Sequence, residues 1–489
     1  MSAGAERGPT SWEQSGGPGS RDEQGSAGDA VPESTPAVRR AALIVATLTS
    51  FATPFMGSSI NIALPSIGRD FALDAVTLSW VPTAYLLSAA ALLLPFGRLG
   101  DIAGRKRVFT AGVWLFTVTA ALSAAAPSGA WLIAARALQG VSSAMVFGTG
   151  VAILMSVYPV GERGRALGIS VAAVYAGLSV GPPVGGFLTQ QLGWRSVFWG
   201  TIPLGVVVLG AVRRLEGEWA EARGERFDPA GSLCYSAAVV SLMLGLSWIP
   251  RASGVGLAGA GLAGLAAFVW RESRAESPIL NVSLFRTNTV FAMSNLAALL
   301  NYSAIFAVGF LLSLYLQVVK GYSPQRAGLI LVCQPILMAL WSPGAGRLSD
   351  RIEPRLVASL GMGLITVALL ALGRLGADSP VGYVVGSLIV LGTGMGLFSS
   401  PNTNAVMSSV ERKFLGVASA TLGTMRLTGQ MLSMGLAMLI FSAVIGRAQI
   451  TPAVQGPFVL AMRLAFYLFS VLCGVGIFAS LSRGRVRGA

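Results

Sequence analysis

The sequence predicts an all-α polytopic membrane protein with 14 transmembrane helices, arranged as two six-helix bundles plus an inserted helix pair. Three observations lead there. The 489 residues are 53% hydrophobic and only 11% charged, with mean hydropathy +0.68, whereas a soluble chain carries about 25% charged residues. Apolar runs of roughly 20 residues recur along the chain, each long enough to cross a bilayer as a helix. Lys and Arg crowd into every second loop, the asymmetry expected when alternate loops face the cytoplasm.

The chain opens differently. Residues 1–38 are rich in Gly, Ser, Pro, Asp and Glu with no apolar core, so a disordered cytoplasmic tail is expected, with no hydrophobic stretch resembling a cleavable signal. Spans follow from near Arg40, Leu78, Val108, Trp131, Ala166 and Ser196. These form an N-terminal six-helix bundle over 39–212. Asp228 and Val255 start an inserted pair, which occupies 213–285 with its cytoplasmic linkers. Val290, Arg326, Arg355, Val381, Gly416 and Val459 start the C-terminal bundle over 286–482, and residues 483–489 form a basic cytoplasmic tail.

Charge tests this count. With the N-terminus inside, inner loops hold Arg98, Arg105, Lys106 and Arg107, then Arg163 and Arg165, then Arg213, Arg214, Arg223 and Arg226. Arg271, Arg274 and Arg286 follow, then Arg347, Arg351 and Arg355, then Arg412 and Lys413, with Arg483, Arg485 and Arg487 at the end. Outer loops keep scattered cations such as Arg195, Lys320 and Arg447. Both termini are therefore placed in the cytoplasm, with the protein in the cell's inner (plasma) membrane. The formal charge of +14 follows from these loops, so no nucleic-acid partner is expected. Cys234, Cys333 and Cys473 fall inside separate apolar helices as small hydrophobes. No GxxxxGK[ST] phosphate loop occurs, which argues against ATP as an energy source. An enzyme is not expected, nor a cofactor or metal; the expected partners are the lipid bilayer, a small-molecule substrate and protons, and the chain is expected to be a monomer.

Two local patterns stand out. GRLGDIAGRKR at 97–107 is echoed by GRLSDRIEPR at 346–355, each after the second span of its half, as parallel repeats of two facing bundles require. Residues 168–186 read GISVAAVYAGLSVGPPVGG. Glycine costs about 1 kcal/mol per interior helical position, so its repeated use needs a reason. Gly177, Gly181 and Gly185 are four apart and share a helix face, giving two overlapping small-xxx-small steps that let helix backbones touch. Gly186 adjoins them, and Pro182 removes a hydrogen bond and can kink the helix there.

On these residues the chain resembles the major facilitator superfamily, in particular its fourteen-span drug:proton antiporters. The spacing G-x8-G-x3-GP-x2-GG from Gly168 to Gly186 matches the signature of the superfamily's exporters. NIALPSI (Asn61–Ile67), WVPTAYLL (Trp80–Leu87), GWRSVFWGTIPLG (Gly193–Gly205), FDPAG (Phe227–Gly231) and QVVKGYSPQRAG (Gln317–Gly328) are also similar to family segments. Gly97, Asp101, Gly104 and Arg105 fall on the superfamily's cytoplasmic hallmark. The resemblance implies that Asp101 latches the bundles together by sitting on the positive end of a neighbouring helix; the alternative is a solvated loop that only sets topology. The glycine helix is implied to seal the bundle interface, or else to be generic close packing.

Arg136, Gln139 and Gly140 match the family's R-x-x-Q-G pattern. An arginine inside a span costs about 2.5–3.5 kcal/mol on insertion scales, so Arg136 either faces a proton and substrate path or snorkels to the outer surface. Arg426 raises the same question. Asn61, Trp80, Tyr85, Tyr175, Asn295, Asn301, Gln334, Trp341, Asn402 and Asn404 are candidate cavity-lining groups, each amide serving either as cargo contact or as helix-to-helix glue. One departure matters. Related multidrug exporters carry Asp nine residues before the Pro of N-x-ALP, and that position is Met56. No acidic residue lies at a span centre, since Asp101, Asp228, Asp350 and Glu411 sit at ends or in loops, and histidine is absent. Arginine does not titrate in the working range. Proton exchange is thus implied by resemblance alone. Arginines without a central carboxylate suit a neutral or anionic amphiphile such as an acidic antibiotic. The reading is an alternating-access exporter; the alternative is a facilitator, or an exporter of an endogenous metabolite or lipid, without proton coupling.

Overall fold

The computed structural model describes residues 35–484 apart from 221, 276–278, 281, 412–414 and 447. The expected tail up to residue 34, and Arg412, Lys413, Arg447, Arg485 and Arg487, lie outside the described residues. Fourteen helices are long and apolar enough to cross a membrane among those described. They are α1 (Pro36–Asp70), α2 (Ala75–Ala103), α3 (Arg105–Ala124), α4 (Gly129–Val157), α5 (Val160–Leu192) and α6 (Arg195–Val212). Then come α7 (Pro229–Trp248), α8 (Ala252–Glu272), α9 (Thr289–Val319), α10 (Pro324–Ser349), α11 (Pro354–Leu372), α12 (Val381–Ser408), α13 (Leu415–Val444) and α14 (Gln455–Ser482). Because α1 begins at Pro36, the last residues of the expected tail are already helical.

Short polar side chains start many of these helices. Thr35, Asp74, Ser128, Asp228, Asn288 and Ser323 each accept a first-turn amide, satisfying donors that lipid cannot satisfy. Proline follows directly at Pro36, Pro229 and Pro324, where its missing N–H is no loss. The sixth span is two pieces, Arg195–Trp199 and Ile202–Val212, joined through Gly200 and Thr201.

In the first bundle α1 packs on α5, and α4 on both α2 and α3; in the second α12 packs on α10 and α11, and α9 on α13 and α14. The bundles meet along α5–α10, α2–α13 and α1–α9. Helix α8 packs chiefly on α7, which touches α2 and α13, so the inserted pair flanks the interface instead of dividing it.

An even number of spans puts both chain ends on one side. At the other side the bundles are tied together. Ser313 donates to the Asn61 carbonyl at 2.6 Å and Gln317 to the Ile62 carbonyl at 2.9 Å, joining α9 to α1. The α1–α2 loop pairs with the α13–α14 loop through Ala75 N–H to the Ala448 carbonyl at 3.0 Å and Gln449 to the Ala72 carbonyl at 2.9 Å. The Gln325 amide donates to Gln190 at 3.3 Å. These bonds close the interface at the end away from the termini.

Candidate functional site

Helix α5 lies against α1 backbone to backbone. A Cβ at Gly177 would fall 2.4 Å from the Phe51 carbonyl oxygen, at Gly181 1.9 Å from Ser58 Oγ, and at Gly185 2.6 Å from Ser59 Cβ. Such distances leave room for hydrogen alone. The approach lets Ser59 donate to the Gly181 carbonyl at 2.9 Å, a hydrogen bond between the two helices. Gly186 turns the other way: its Cβ would lie 2.5 Å from the Pro324 carbonyl oxygen of α10. A Cβ on Gly328 would lie 2.1 Å from the Pro182 carbonyl. One helix thus welds α1 on one face and bridges to the second bundle on the next. Gly168 stands apart, with nothing within 4 Å of the corresponding point.

Arg136 is fully buried, so it does not snorkel. Its Nε donates to the Val81 carbonyl at 3.3 Å and Nη1 to Gln139 Oε1 at 2.5 Å. The guanidinium lies over the Tyr85 ring at 4.4 Å, and Tyr85 donates to Ser143 at 2.8 Å. The ring supplies cation–π attraction. No carboxylate is among the described partners, and Gln139 Nε2 is buried without a hydrogen-bond partner. The cluster therefore holds donors in excess of acceptors inside a low-dielectric bundle. Arg426, half-buried on α13, lies 5.4 Å from the Tyr302 ring centroid.

The loop between α2 and α3 shows a partner that the sequence did not reveal. Asp101 pairs with Arg105 at 2.8 Å, and Arg105 also donates to Ser156 of α4 at 3.0 Å. Among the described residues Asp101 does not sit on a helix end of the second bundle. The carboxylate on a helix N-terminus is Glu218, from the linker between α6 and α7. It accepts the Lys106 amide at 2.8 Å, and Gly104, at φ +115°, has the Glu218 carboxyl where a Cβ would stand. The same linker takes the Arg105 amide on the Trp219 carbonyl at 2.8 Å and gives the Ala222 amide to the Asp101 carbonyl at 3.0 Å. Lys106 also donates to the Leu215 carbonyl, and Glu225 pairs with Arg98. Gly97 serves elsewhere, since a Cβ on Gly148 would press on its backbone at 3.0 Å, setting the α2–α4 approach.

The other predicted lining groups separate by position. Tyr175 bridges the bundles to Ser342 with 2.9 Å between oxygens, and Asn61 lies on the α1–α9 contact. Trp80 donates to Ser247 of α7 at 3.2 Å and so faces the inserted pair. Gln334 presents its backbone to Gly392, and Trp341 is 47% exposed with its Cβ beside Gly396. The remaining amides are packed within the second bundle: Asn295 donates to the Phe291 carbonyl, Asn301 to Met395 Sδ and Asn402 to the Ser294 carbonyl. Asn404 donates to Ser349 and Asp350, tying α12 to the repeat loop. Asn301, Asn402 and Asn404 thus hold helices together, whereas the Asn295 bond stays within α9.

Two charged groups sit unexpectedly deep. Arg483, read as the start of the basic cytoplasmic tail, is 0% exposed, and burial pushes its guanidinium down to about 10. Glu272, at the end of α8, is buried, its Oε2 accepting the Ile279 and Leu280 amides at 2.6 and 3.0 Å. Beside it Asp228 pairs with Arg271, whose hydrogen bonds hold the Asp228 carboxyl below its ordinary range.

A sequence profile of the Major Facilitator Superfamily matches residues 46–434 and 294–487. The chain is 30% identical over 443 residues to "Riboflavin transporter RibZ" of Clostridioides difficile (strain 630), covering 89% of this chain and 95% of that protein. It is 36% identical over 418 residues to "Cephamycin export protein CmcT" of Amycolatopsis lactamdurans, covering 82% and 84%. It is 31% identical over 365 residues to "Tetracenomycin C resistance and export protein" of Streptomyces glaucescens, covering 73% and 68%. Among solved structures, the human organic anion transporter MFSD10 superposes with TM-score 0.61 at 15% identity, covering 92% of this chain and 99% of that one. At this identity the likeness speaks for the fold alone.

Proposed function

We propose that this chain, which belongs to the major facilitator superfamily, is a secondary exporter of a neutral or anionic organic amphiphile such as an antibiotic, working by alternating access in the plasma membrane with both termini cytoplasmic. The observation that carries the cargo assignment is Arg136. A buried guanidinium and a buried amide donor, with no carboxylate beside them, favour a guest that brings acceptors and disfavour a lipophilic cation. The bonds that shut the end away from the termini, with the termini inside, fit a form loaded from the cytoplasm. The glycine stripe on α5 supports the direction by its match to the exporter signature, and relatives named for cephamycin and tetracenomycin export point the same way.

Proton exchange belongs to the proposal as the driving force. With Met56 in place of an acid, coupling runs through Asp101 with Arg136, or through an ionisable group on the cargo itself. Everted vesicles test this. Adding an acidic antibiotic to energised vesicles should drive its accumulation and release protons, and collapsing the proton gradient should abolish uptake. Uptake at an unchanged rate after collapse contradicts coupling and favours the second reading, a facilitator or metabolite carrier. A riboflavin transporter among the relatives supports that reading.

A further inference from the structure

Arg136 and Arg426, the two arginines inside spans, differ in what surrounds them. Arg136 is fully buried, with its Nε on the Val81 carbonyl and Nη1 on Gln139, so in this form its charge acts on a guest only at a distance. Arg426 is half-buried, with its guanidinium carbon 5.4 Å from the centroid of the Tyr302 ring of α9. It stands eleven residues into α13 (Leu415–Val444), about 16 Å along the helix axis. Among the described residues it has no hydrogen-bond or ion-pair partner beyond that ring. A half-exposed guanidinium at this depth faces a water-filled cavity, because lipid would leave its charge and donors unmatched.

Neighbours on α13 show where that cavity lies. A Cβ on Gly423 would stand 3.8 Å from Leu93 Cδ2 of α2. One on Gly429 would stand 2.7 Å from the Leu299 carbonyl oxygen and 2.9 Å from Tyr302 Cβ, both on α9. Arg426 is three residues from each glycine, so it leaves the helix about 60° from both directions and midway between them. It therefore points at the space between α2 of the first bundle and α9 of the second. On α9 the half-buried Tyr302 and Phe306 share a face with Gly309, whose Cβ would lie 3.7 Å from Asn61 Nδ2 of α1. That face looks across to the first bundle. Both rings precede Ser313, whose bond to Asn61 helps to shut the far end, so they sit on the terminus side of the closure. Arg426, Tyr302 and Phe306 thus line one recess between the bundles.

A guanidinium lying over a ring keeps its N–H edges free, and such an edge takes both oxygens of a carboxylate in parallel hydrogen bonds. The rings beside it offer apolar faces on which an aromatic guest packs. We propose that Arg426, Tyr302 and Phe306 form the cargo contact on the second bundle and select an aromatic acid, its carboxylate on Arg426 and its ring against Tyr302 and Phe306. The proposal rests on the anionic-cargo reading, but not on direction or proton coupling.

Equilibrium dialysis tests it, with naphthoate and its neutral isostere naphthamide against the full chain in phosphatidylcholine nanodiscs, and empty nanodiscs as background. Wild type should bind the acid about fivefold or more tightly than the amide. Arg426→Gln should weaken the acid about tenfold, or about 1.4 kcal/mol, and leave the amide unchanged. Tyr302→Leu should weaken both compounds, and Arg136→Gln should leave both within about twofold. Should Arg426→Gln fail to fold, Arg426→Lys decides: it keeps the charge without the two-pronged edge and should cost about threefold on the acid alone. Undiminished acid binding by a folded Arg426 variant overturns the assignment. So does an equal loss of the amide, or a loss at Arg136→Gln as large as that at Arg426→Gln. A wild type that fails to prefer the acid overturns the anionic-cargo reading, and the proposal with it.

Discussion

Single glycines on α5 differ sharply in what they allow. Gly177 and Gly181 face backbone and serine atoms at 2.4 and 1.9 Å from a would-be Cβ, whereas Gly168 faces open space. Gly177→Ala should therefore destabilise the protein by about 1–3 kcal/mol through overpacking. Gly168→Ala should be neutral or slightly stabilising, since alanine is the better helix former by about 1 kcal/mol. Thermal unfolding of the two variants in detergent separates them, and equal losses would contradict the packing account. Sequence alone showed the spacing of these glycines but not which of them face a partner helix, because a lipid-facing and a helix-facing glycine are the same letter. Arg136 was legible as an arginine inside a span. Its partners Val81 and Tyr85 lie about 50 residues away and needed the fold.

At the scale of elements, the linker from α6 to α7 ties the α2–α3 loop. Glu218 adds a carboxylate to the N-terminus of α3, where unsatisfied amides and the helix dipole favour negative charge. Glu218→Gln should weaken this cap by about 0.5–1 kcal/mol, speeding hydrogen exchange at the Lys106 amide severalfold with global stability little changed. An unaltered exchange rate would remove Glu218 from the cap. The inserted pair carries its own charge tie, Asp228 with Arg271. Because Arg271 lowers the folded carboxyl's pKa, the tie stabilises the protein above the ordinary Asp value of about 3.9 and is lost as pH falls through the folded value. Asp228→Asn should accordingly lower the unfolding temperature at pH 7, by a margin that shrinks as pH falls below the ordinary Asp value. A penalty of equal size at every pH would place the effect in the helix cap instead. Neither tie was legible beforehand, since a linker glutamate 112 residues from its amide leaves no local signature. The spans were legible because a bilayer imposes length and apolarity on each one separately.

For the whole molecule the two bundles are shut at the end away from the termini, through α1–α9, α5–α10 and the paired loops. Alternating access requires that these bonds break and re-form. Gln190→Cys with Gln325→Cys, joined by a short thiol-specific crosslinker, should link readily and stop transport, with activity restored on cleaving the linker. Full transport while crosslinked would mean that this end does not open. The even span count came from hydropathy and loop charge, and the two-bundle plan from the echo of 97–107 at 346–355. The placement of Asn295, Asn301, Asn402 and Asn404 inside the second bundle did not, because an amide that binds cargo and one that binds a neighbouring helix satisfy the same need for partners in lipid.

The central claim is that a carboxylate-free, arginine-bearing path exports neutral or anionic cargo. Its most direct measurement is the drug susceptibility of a hypersensitive host expressing the wild type or the Arg136→Ala, Arg426→Ala double variant, scored against paired acidic and cationic amphiphiles. Wild type should raise the inhibitory concentration of acidic compounds about fourfold or more and leave lipophilic cations unchanged. The double variant should lose that protection, equivalent to about 1 kcal/mol or more of cargo interaction. Protection against cations alone, or undiminished protection against acids by the double variant, would contradict the account.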